Sequence, residues 1–331
     1  MTYVRYHDSG YIDMGAVISA PFPIIILTGC RGLGKTYGAL EYAAEQDIRF
    51  CYFRRTRTIL ELITDPALHV YKRINTDHSW DIRPEYAKGI GRFMDAGKLK
   101  GYAAALSTFA SVRGFDGSDI ELMIYDEFIP EPTERRMFDA YTALLHAYET
   151  INRNRELEGR PALKLLLMSN SDLIYSDIIA GFGVGDLLYR MQQTGTEELE
   201  LGEILLLRPA AAVFTEKKNE TVLARVASQQ YKDMAISNKF PIEDQSRIGP
   251  RPLREYRPVA AIRGLVIYRH KSDPVYYVCD KLSGAPRMYE DTEADMRRFL
   301  KENPAIWRAY EARRVYFSGI NTQTAFKLIY D

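Results

Sequence analysis

Little in this 331-residue chain supports redox or metal chemistry. Three cysteines, Cys30, Cys51 and Cys279, form an odd, widely spaced set, and the five histidines are scattered. Neither set has the spacing of a metal site, which excludes a zinc module and a disulfide scaffold and leaves free thiols in a reducing cytosol. Charge of one sign is also missing. The 44 basic and 44 acidic side chains cancel, so the whole chain has no nucleic-acid signature. No apolar run approaches the ~20 residues of a membrane span. Residues Met1 to Ala20 mix His7, Asp8 and Asp13 with two glycines, so no leader and no membrane association are expected. There is no internal repeat and no low-complexity tract.

What is present is a phosphate-binding signature. Gly29-Cys30-Arg31-Gly32-Leu33-Gly34-Lys35-Thr36 fits G-x-x-x-x-G-K-[ST] at every fixed position. The apolar run Pro23 to Leu27 precedes it, and a helix-like segment, Tyr37 to Glu45, follows. That strand–loop–helix setting lets successive backbone N–H groups curl around phosphate oxygens at a helix N-terminus. Lys35 would then reach the β- and γ-phosphates, and Thr36 would place its hydroxyl on Mg²⁺. A nucleoside triphosphate is the expected ligand. No N-K-x-D motif occurs (Asn238-Lys239-Phe240-Pro241 lacks the Asp), which argues for ATP over GTP.

Up to residue 207, apolar strand candidates alternate with amphipathic helices, a pattern that predicts a parallel sheet covered on both faces. The candidates are Ile24 to Thr28, Arg49 to Arg54, Leu122 to Tyr125, Leu163 to Ser169 and Glu203 to Leu207, with Tyr102 to Leu106 as a further one. Between them Glu134 to Thr150 repeats apolar residues at helical spacing. Residues 208–252 read as a linker or helical bridge, with a helix over Val222 to Ile236 and then a stretch rich in Pro, Gly and charge. Residues 253–331 read as a small α/β domain: strands at Ala260 to Arg269, Val275 to Asp280 and Arg314 to Phe317, helices at Thr292 to Leu300 and Thr322 to Tyr330. From Arg251 onward, 15 basic side chains face 10 acidic ones, a modest pointer to a polyanionic partner.

Hydrolysis needs further groups. Ile120 to Tyr125 is mostly apolar and runs into Asp126 and Glu127. An acid at such a strand end can hold a Mg²⁺-bound water beside Thr36, and the next can polarise the attacking water. The strand ending Met168-Ser169-Asn170 would bring Asn170 to the γ-phosphate if it lies between the two motif strands. Arginines supply transition-state charge in such enzymes. Candidates are Arg153 and Arg155 after the long helix, then Arg54, Arg55, Arg57 and Arg113, with Arg31 inside the loop facing nucleotide or a neighbour.

Taken together these residues resemble the DNA-encapsidation (genome packaging) ATPases of small podoviruses, P-loop ring motors of the additional-strand, catalytic-glutamate class. The matching pieces are the loop with its internal Arg31 and trailing Tyr37, Tyr52-Phe53-Arg54-Arg55, Asp126-Glu127-Phe128-Ile129, Asn152-Arg153-Asn154-Arg155-Glu156 and Met168-Ser169-Asn170. They cover most of residues 20–175.

The resemblance implies ATP hydrolysis with Mg²⁺, and translocation of double-stranded DNA into a procapsid by a homo-oligomeric ring. The ring would typically be pentameric and the isolated chain monomeric. It further implies docking at the portal vertex, with a packaging RNA as a further candidate partner, in the host cytoplasm. By carry-over Arg153 looks like the finger reaching a neighbour's ATP. Arg57 and Arg113 stand where basic residues affect nucleotide exchange or the trans contact, although Arg57 replaces the Lys expected there. The C-terminal domain resembles a reduced RNase H-like fold. Its acids, Asp273, Asp280, Glu290, Asp291 and Asp295, lack a clear two-metal arrangement, so it is expected to bind nucleic acid without cleaving it. The alternatives are a P-loop ATPase for another polymer, of helicase or filamentous-phage assembly type, and a nucleotide-gated structural adaptor.

Overall fold

The computed structural model describes residues 2–112, 114–130, 137, 139–170, 176–210, 212–227 and 245–330. Arg113, the start of the helix expected from Glu134 and most of the helix expected over Val222 to Ile236 lie outside these. Contacts divide the chain into two compact units, one of residues 1–172 and 191–240, the other of residues 173–190 and 241–331.

The first unit is built on a nine-stranded sheet. Its strands are β1 (Ile24–Thr28), β2 (Phe50–Arg54), β3 (Arg83–Ala87), β4 (Ile90–Asp95), β5 (Lys98–Ala105), β6 (Leu122–Asp126), β7 (Lys164–Ser169), β8 (Glu198–Leu201) and β9 (Ile204–Leu207). They lie in the order β3-β4-β5-β2-β6-β7-β1-β9-β8. The six strands from β5 to β9 run parallel, and β3, β4 and β8 add antiparallel edges. Strand β7 sits between β6 and β1, the order required for Asn170 to approach the phosphate loop. Burial explains why the central strands read as continuous apolar runs. Ile25, Ile26 and Leu27, like Leu165, Leu166 and Leu167, are buried on alternate faces, as a doubly covered parallel sheet requires.

Helix Lys35–Glu45 follows the phosphate loop and buries Ala39, Leu40, Ala43 and Ala44 against the sheet. Helix Ala140–Asn152 starts from Asp139, whose carboxylate accepts the Thr142 N–H. The β3–β4 hairpin has no counterpart in the sequence reading, because β3 alternates exposed and half-buried residues. Among the described residues, no helix is long and apolar enough to cross a membrane.

The second unit holds a five-stranded mixed sheet, β13-β10-β11-β12-β14. These are β10 (Tyr256–Ile262), β11 (Leu265–His270), β12 (Tyr276–Cys279), β13 (Arg287–Met288) and β14 (Val315–Phe317), with helices Glu293–Glu302, Pro304–Glu311 and Ile320–Tyr330. The single strand expected over Ala260 to Arg269 is in fact two antiparallel strands. Arg263 and Gly264 both take positive φ (50° and 74°) and form the two-residue turn between them. Segment 176–190 packs with this unit. Asp186 accepts the Ile320 N–H at 2.6 Å, capping the last helix, and Asn321 accepts the Gly185 N–H.

Candidate nucleotide site

The site forms where the C-terminal ends of β1, β7 and β6 lie side by side. Thr28 pairs with Ser169 across β1 and β7, and Asp126 pairs with Met168 across β6 and β7. Chain leaving these ends reaches Gly29, Asn170 and Glu127 respectively. Gly32 and Gly34 take φ of 87° and 88°, a left-handed conformation that glycine adopts without steric cost.

Lys35 is 5% exposed, and its ammonium donates to the carbonyls of Gly29 (3.0 Å) and Cys30 (2.9 Å) and to Asn170 Oδ1 (2.9 Å). Burial pushes its pKa down to about 8, against the pull of nearby Cys30 and Asp126. Thr36 donates its hydroxyl to Asp126 Oδ2 at 2.9 Å. Loop, acid and polar strand end therefore converge on one point, as their sequence contexts require.

Two further residues complete the acid pair. Tyr52 donates its phenol to Asp126 Oδ2 at 2.6 Å. Burial, then the Asp126 charge, hold that phenol well above its usual pKa, so it stays a donor. Arg54 contacts Asp126 Oδ2 at 3.3 Å and pairs with Glu127 Oε2. Burial works against the Arg54 charge, but Tyr52, Asp126 and Glu127 together raise its pKa. Asn170 Nδ2 lies 3.4 Å from Glu127 Oε1, so Lys35, Asn170, Glu127 and Arg54 form one chain of polar contacts. Glu127 has φ 54°, an uncommon conformation for a non-glycine residue, and its side chain is about half exposed (46%). In the sequence Tyr52 stands out only as part of a matching strand, with no role at the site, and Arg54 only as one of several arginine candidates. Strand periodicity places residues 52 and 54 on the same face of β2, the signal that could have found both.

The other arginines separate clearly. Arg155 is buried, and burial lowers its pKa. It donates to the carbonyls of Ser118 (3.3 Å) and Ile120, which ties down the loop before β6. Arg153, half exposed at φ 48°, ends helix Ala140–Asn152 and donates to Phe115 O at 2.9 Å. Arg57 pairs with Glu61 one helical turn away. Lys98 and Lys100 both pair with Asp47.

Beside the loop lies a cavity of about 690 Å³, a size that suits a nucleotide. Its wall combines Ser9 and Tyr11 with Lys35 and Thr36, and continues to Arg73 and Asp77. Tyr37 donates to Asp77 at 3.1 Å, and burial, then Glu41, push its phenol up to about 12. The donor set also fits Mg²⁺: one hydroxyl and one carboxylate, both hard oxygens, lie adjacent at the loop's helical end. In the second unit Asp291 pairs with Arg263 and Asp295 with Arg298. Among the described residues, no group of three or more metal-ligating side chains lies there.

Comparison with known proteins bears on this arrangement. The chain is 25% identical over 219 residues to the DNA packaging protein of Bacillus phage phi29, covering 64% of this chain and 60% of that protein. The DNA packaging protein of Bacillus phage PZA gives the same figures. The match thus spans less than two thirds of the length of these curated relatives. The bacteriophage phi29 viral genome packaging motor assembly contains a chain of TM-score 0.64 at 17% identity, with 97% of both chains covered. The phi-28 gp11 DNA packaging motor gives 0.64 at 16% identity, covering 94% of this chain and 95% of that one. At such identities the likeness is one of fold. The family match runs over residues 8–263, from the cavity wall through β1, β6 and β7 and beyond. The chain belongs to the Podovirus DNA encapsidation protein (Gp16) family.

Proposed function

We propose that this chain is the ATPase subunit of a homo-oligomeric ring that drives double-stranded viral DNA into a procapsid. The observation that carries the reading is the polar chain from Lys35 through Asn170 to Glu127, set beside Thr36 and Asp126 at the C-terminal ends of three adjacent central strands. Family membership and the names of the packaging relatives support it.

In this mechanism the loop N–H groups of residues 29–37 hold the phosphates, and Lys35 turns from the Gly29 and Cys30 carbonyls to the β- and γ-oxygens. Thr36 and Asp126 would hold Mg²⁺, which when bound offsets charge on those oxygens. Glu127 leaves Arg54, polarises a water positioned by Asn170 and takes its proton as the water oxygen attacks the γ-phosphorus. The bond to the ADP oxygen breaks in the same displacement. Arg153 acts on the ATP of a neighbouring subunit. The surface position of its guanidinium supports that role over Arg155, which is buried.

The first unit is assigned ATPase function and the second, basic unit DNA binding without cleavage. Support for the latter is that Asp291 and Asp295 are already engaged by arginines. The assembled form is taken as a pentamer at the portal vertex, with a packaging RNA as a further partner, in the host cytoplasm. Steady-state ATP hydrolysis against protein concentration, with and without long double-stranded DNA, tests the reading. Turnover per subunit that rises with both, and is lost in Glu127→Gln, is expected. DNA-indifferent turnover linear in protein would refute it.

A further inference from the structure

One helix closes on the phosphate loop from outside the reacting atoms. Helix Ala212–Asn219 touches the nucleotide cradle at three places. The Phe214 ring lies so near Gly32 that a Cβ there would meet it at 3.2 Å, and its centroid is 5.9 Å from that of Tyr11. Lys217 donates to the Ser9 carbonyl at 2.9 Å. Lys218 donates to the Arg31 carbonyl at 2.6 Å, with its ammonium 5.6 Å from the Phe214 ring centre. Ser9, Tyr11 and Gly32 all belong to the cavity wall.

The charge pattern is informative. Three consecutive carbonyls, those of Gly29, Cys30 and Arg31, accept from two ammonium groups, Lys35 from within the loop and Lys218 from outside it. Like charges so placed repel, and burial apart, Lys218 is among the groups that lower the Lys35 pKa. A polyanion in the cradle replaces that repulsion with two attractions. Position along the loop decides which phosphate is met. Lys35 serves the β- and γ-phosphates from the Gly29 and Cys30 carbonyls, and Arg31 continues the same run, away from Thr36 at the helical end. Lys218 is therefore at the γ-phosphate end.

We propose that Lys218 is a cis-acting cation for the terminal phosphate of bound nucleotide, carried by a helix that Phe214 anchors on Gly32. The proposal rests on the nucleotide-binding reading above and adds a residue that distinguishes triphosphate from diphosphate. A contact made only to the γ-phosphate stabilises ATP and leaves ADP untouched.

The test uses the full chain in a Glu127→Gln background, which blocks turnover, with fluorescent ATP and ADP analogues titrated against Lys218, Lys218→Ala and Lys218→Arg. The alanine variant is expected to weaken the ATP analogue about tenfold and the ADP analogue less than about twofold, with arginine restoring most of the loss. Equal weakening of both ligands would mean that Lys218 only braces the loop, and would overturn the proposal, as would no weakening of either. If the chain with Lys218 intact binds neither analogue, the nucleotide reading itself falls. The ATP-to-ADP ratio separates these cases, because a folding defect moves both affinities together.

Discussion

Protonation of Lys35 gives the sharpest quantitative handle on the site. Burial lowers its pKa from the usual 10.5 to about 8 in the nucleotide-free chain. A triphosphate beside the ammonium favours the charged form and returns the pKa to or above its ordinary range. Binding must then take up protons: about 0.5 per site at pH 8 and about 0.9 at pH 9. The same linkage weakens affinity about eightfold between pH 7.5 and 9.

Isothermal titration in two buffers of different ionisation heat measures the uptake directly, and affinities across that range check the slope. The sign for stability is opposite. The folded pKa lies below the unfolded one, so the unfolded chain binds more protons between about pH 8 and 10.5. Unfolding free energy of the nucleotide-free chain should accordingly rise across that window, by about 3 kcal/mol from this group. Buffer-independent heats with flat affinity would refute the reasoning. They would mean that the three hydrogen bonds to Gly29, Cys30 and Asn170 hold Lys35 charged throughout.

Arg153→Ala should bind ATP normally yet turn it over about 10³-fold more slowly. Mixed rings with Glu127→Gln subunits should recover activity, and failure at every mixing ratio would count against a trans role. Tyr52→Phe removes a 2.6 Å donor from the buried Asp126 carboxylate and should cost about 1.5–3 kcal/mol. An unchanged urea midpoint would show that the carboxylate finds another donor. Gly101→Ala would set a Cβ 2.5 Å from the fully buried Phe50 ring, which stacks on Phe93. A loss of about 1–3 kcal/mol is expected by thermal melting, and a wild-type melting temperature would contradict the packing described.

Much of the first unit is legible in the sequence, because its central strands are buried on both faces. β1 spans Ile24–Thr28 as expected, and β2, β6, β7 and β9 begin or end within a residue or so of the reading. Local signals fail where burial is partial or a turn is cryptic. The Arg263-Gly264 turn interrupts a run in which Ala261, Ile262, Leu265 and Val266 are all buried, so hydropathy alone joins β10 to β11. Strand β3 carries Arg83, Glu85 and Ala87 exposed at the sheet edge, and presents no apolar face strong enough to detect.

At the site, motif residues are found by spacing, but their partners are not. Arg153 and Arg155 are two positions apart, and the residues alone offer both as candidates, with the family resemblance favouring Arg153. Only the fold shows that the Arg155 guanidinium is buried against the carbonyls of Ser118 and Ile120, while that of Arg153 lies half exposed beside Phe115 O and Asp116. The role of helix Ala212–Asn219 was hidden for a related reason: it lies far along the chain from the loop it touches.

The insertion of β7 between β6 and β1 has a geometric consequence. Adjacent strands are about 4.8 Å apart, so the strand bearing the acids stands about 9.6 Å from the strand bearing the loop. That gap is roughly wide enough for a phosphoryl group and one water in line. The intervening strand acts as a spacer whose tip, Asn170, touches both banks, Lys35 on one side and Glu127 on the other. A small shift of that tip would alter both contacts at once, which makes the end of β7 a natural gauge of what fills the gap.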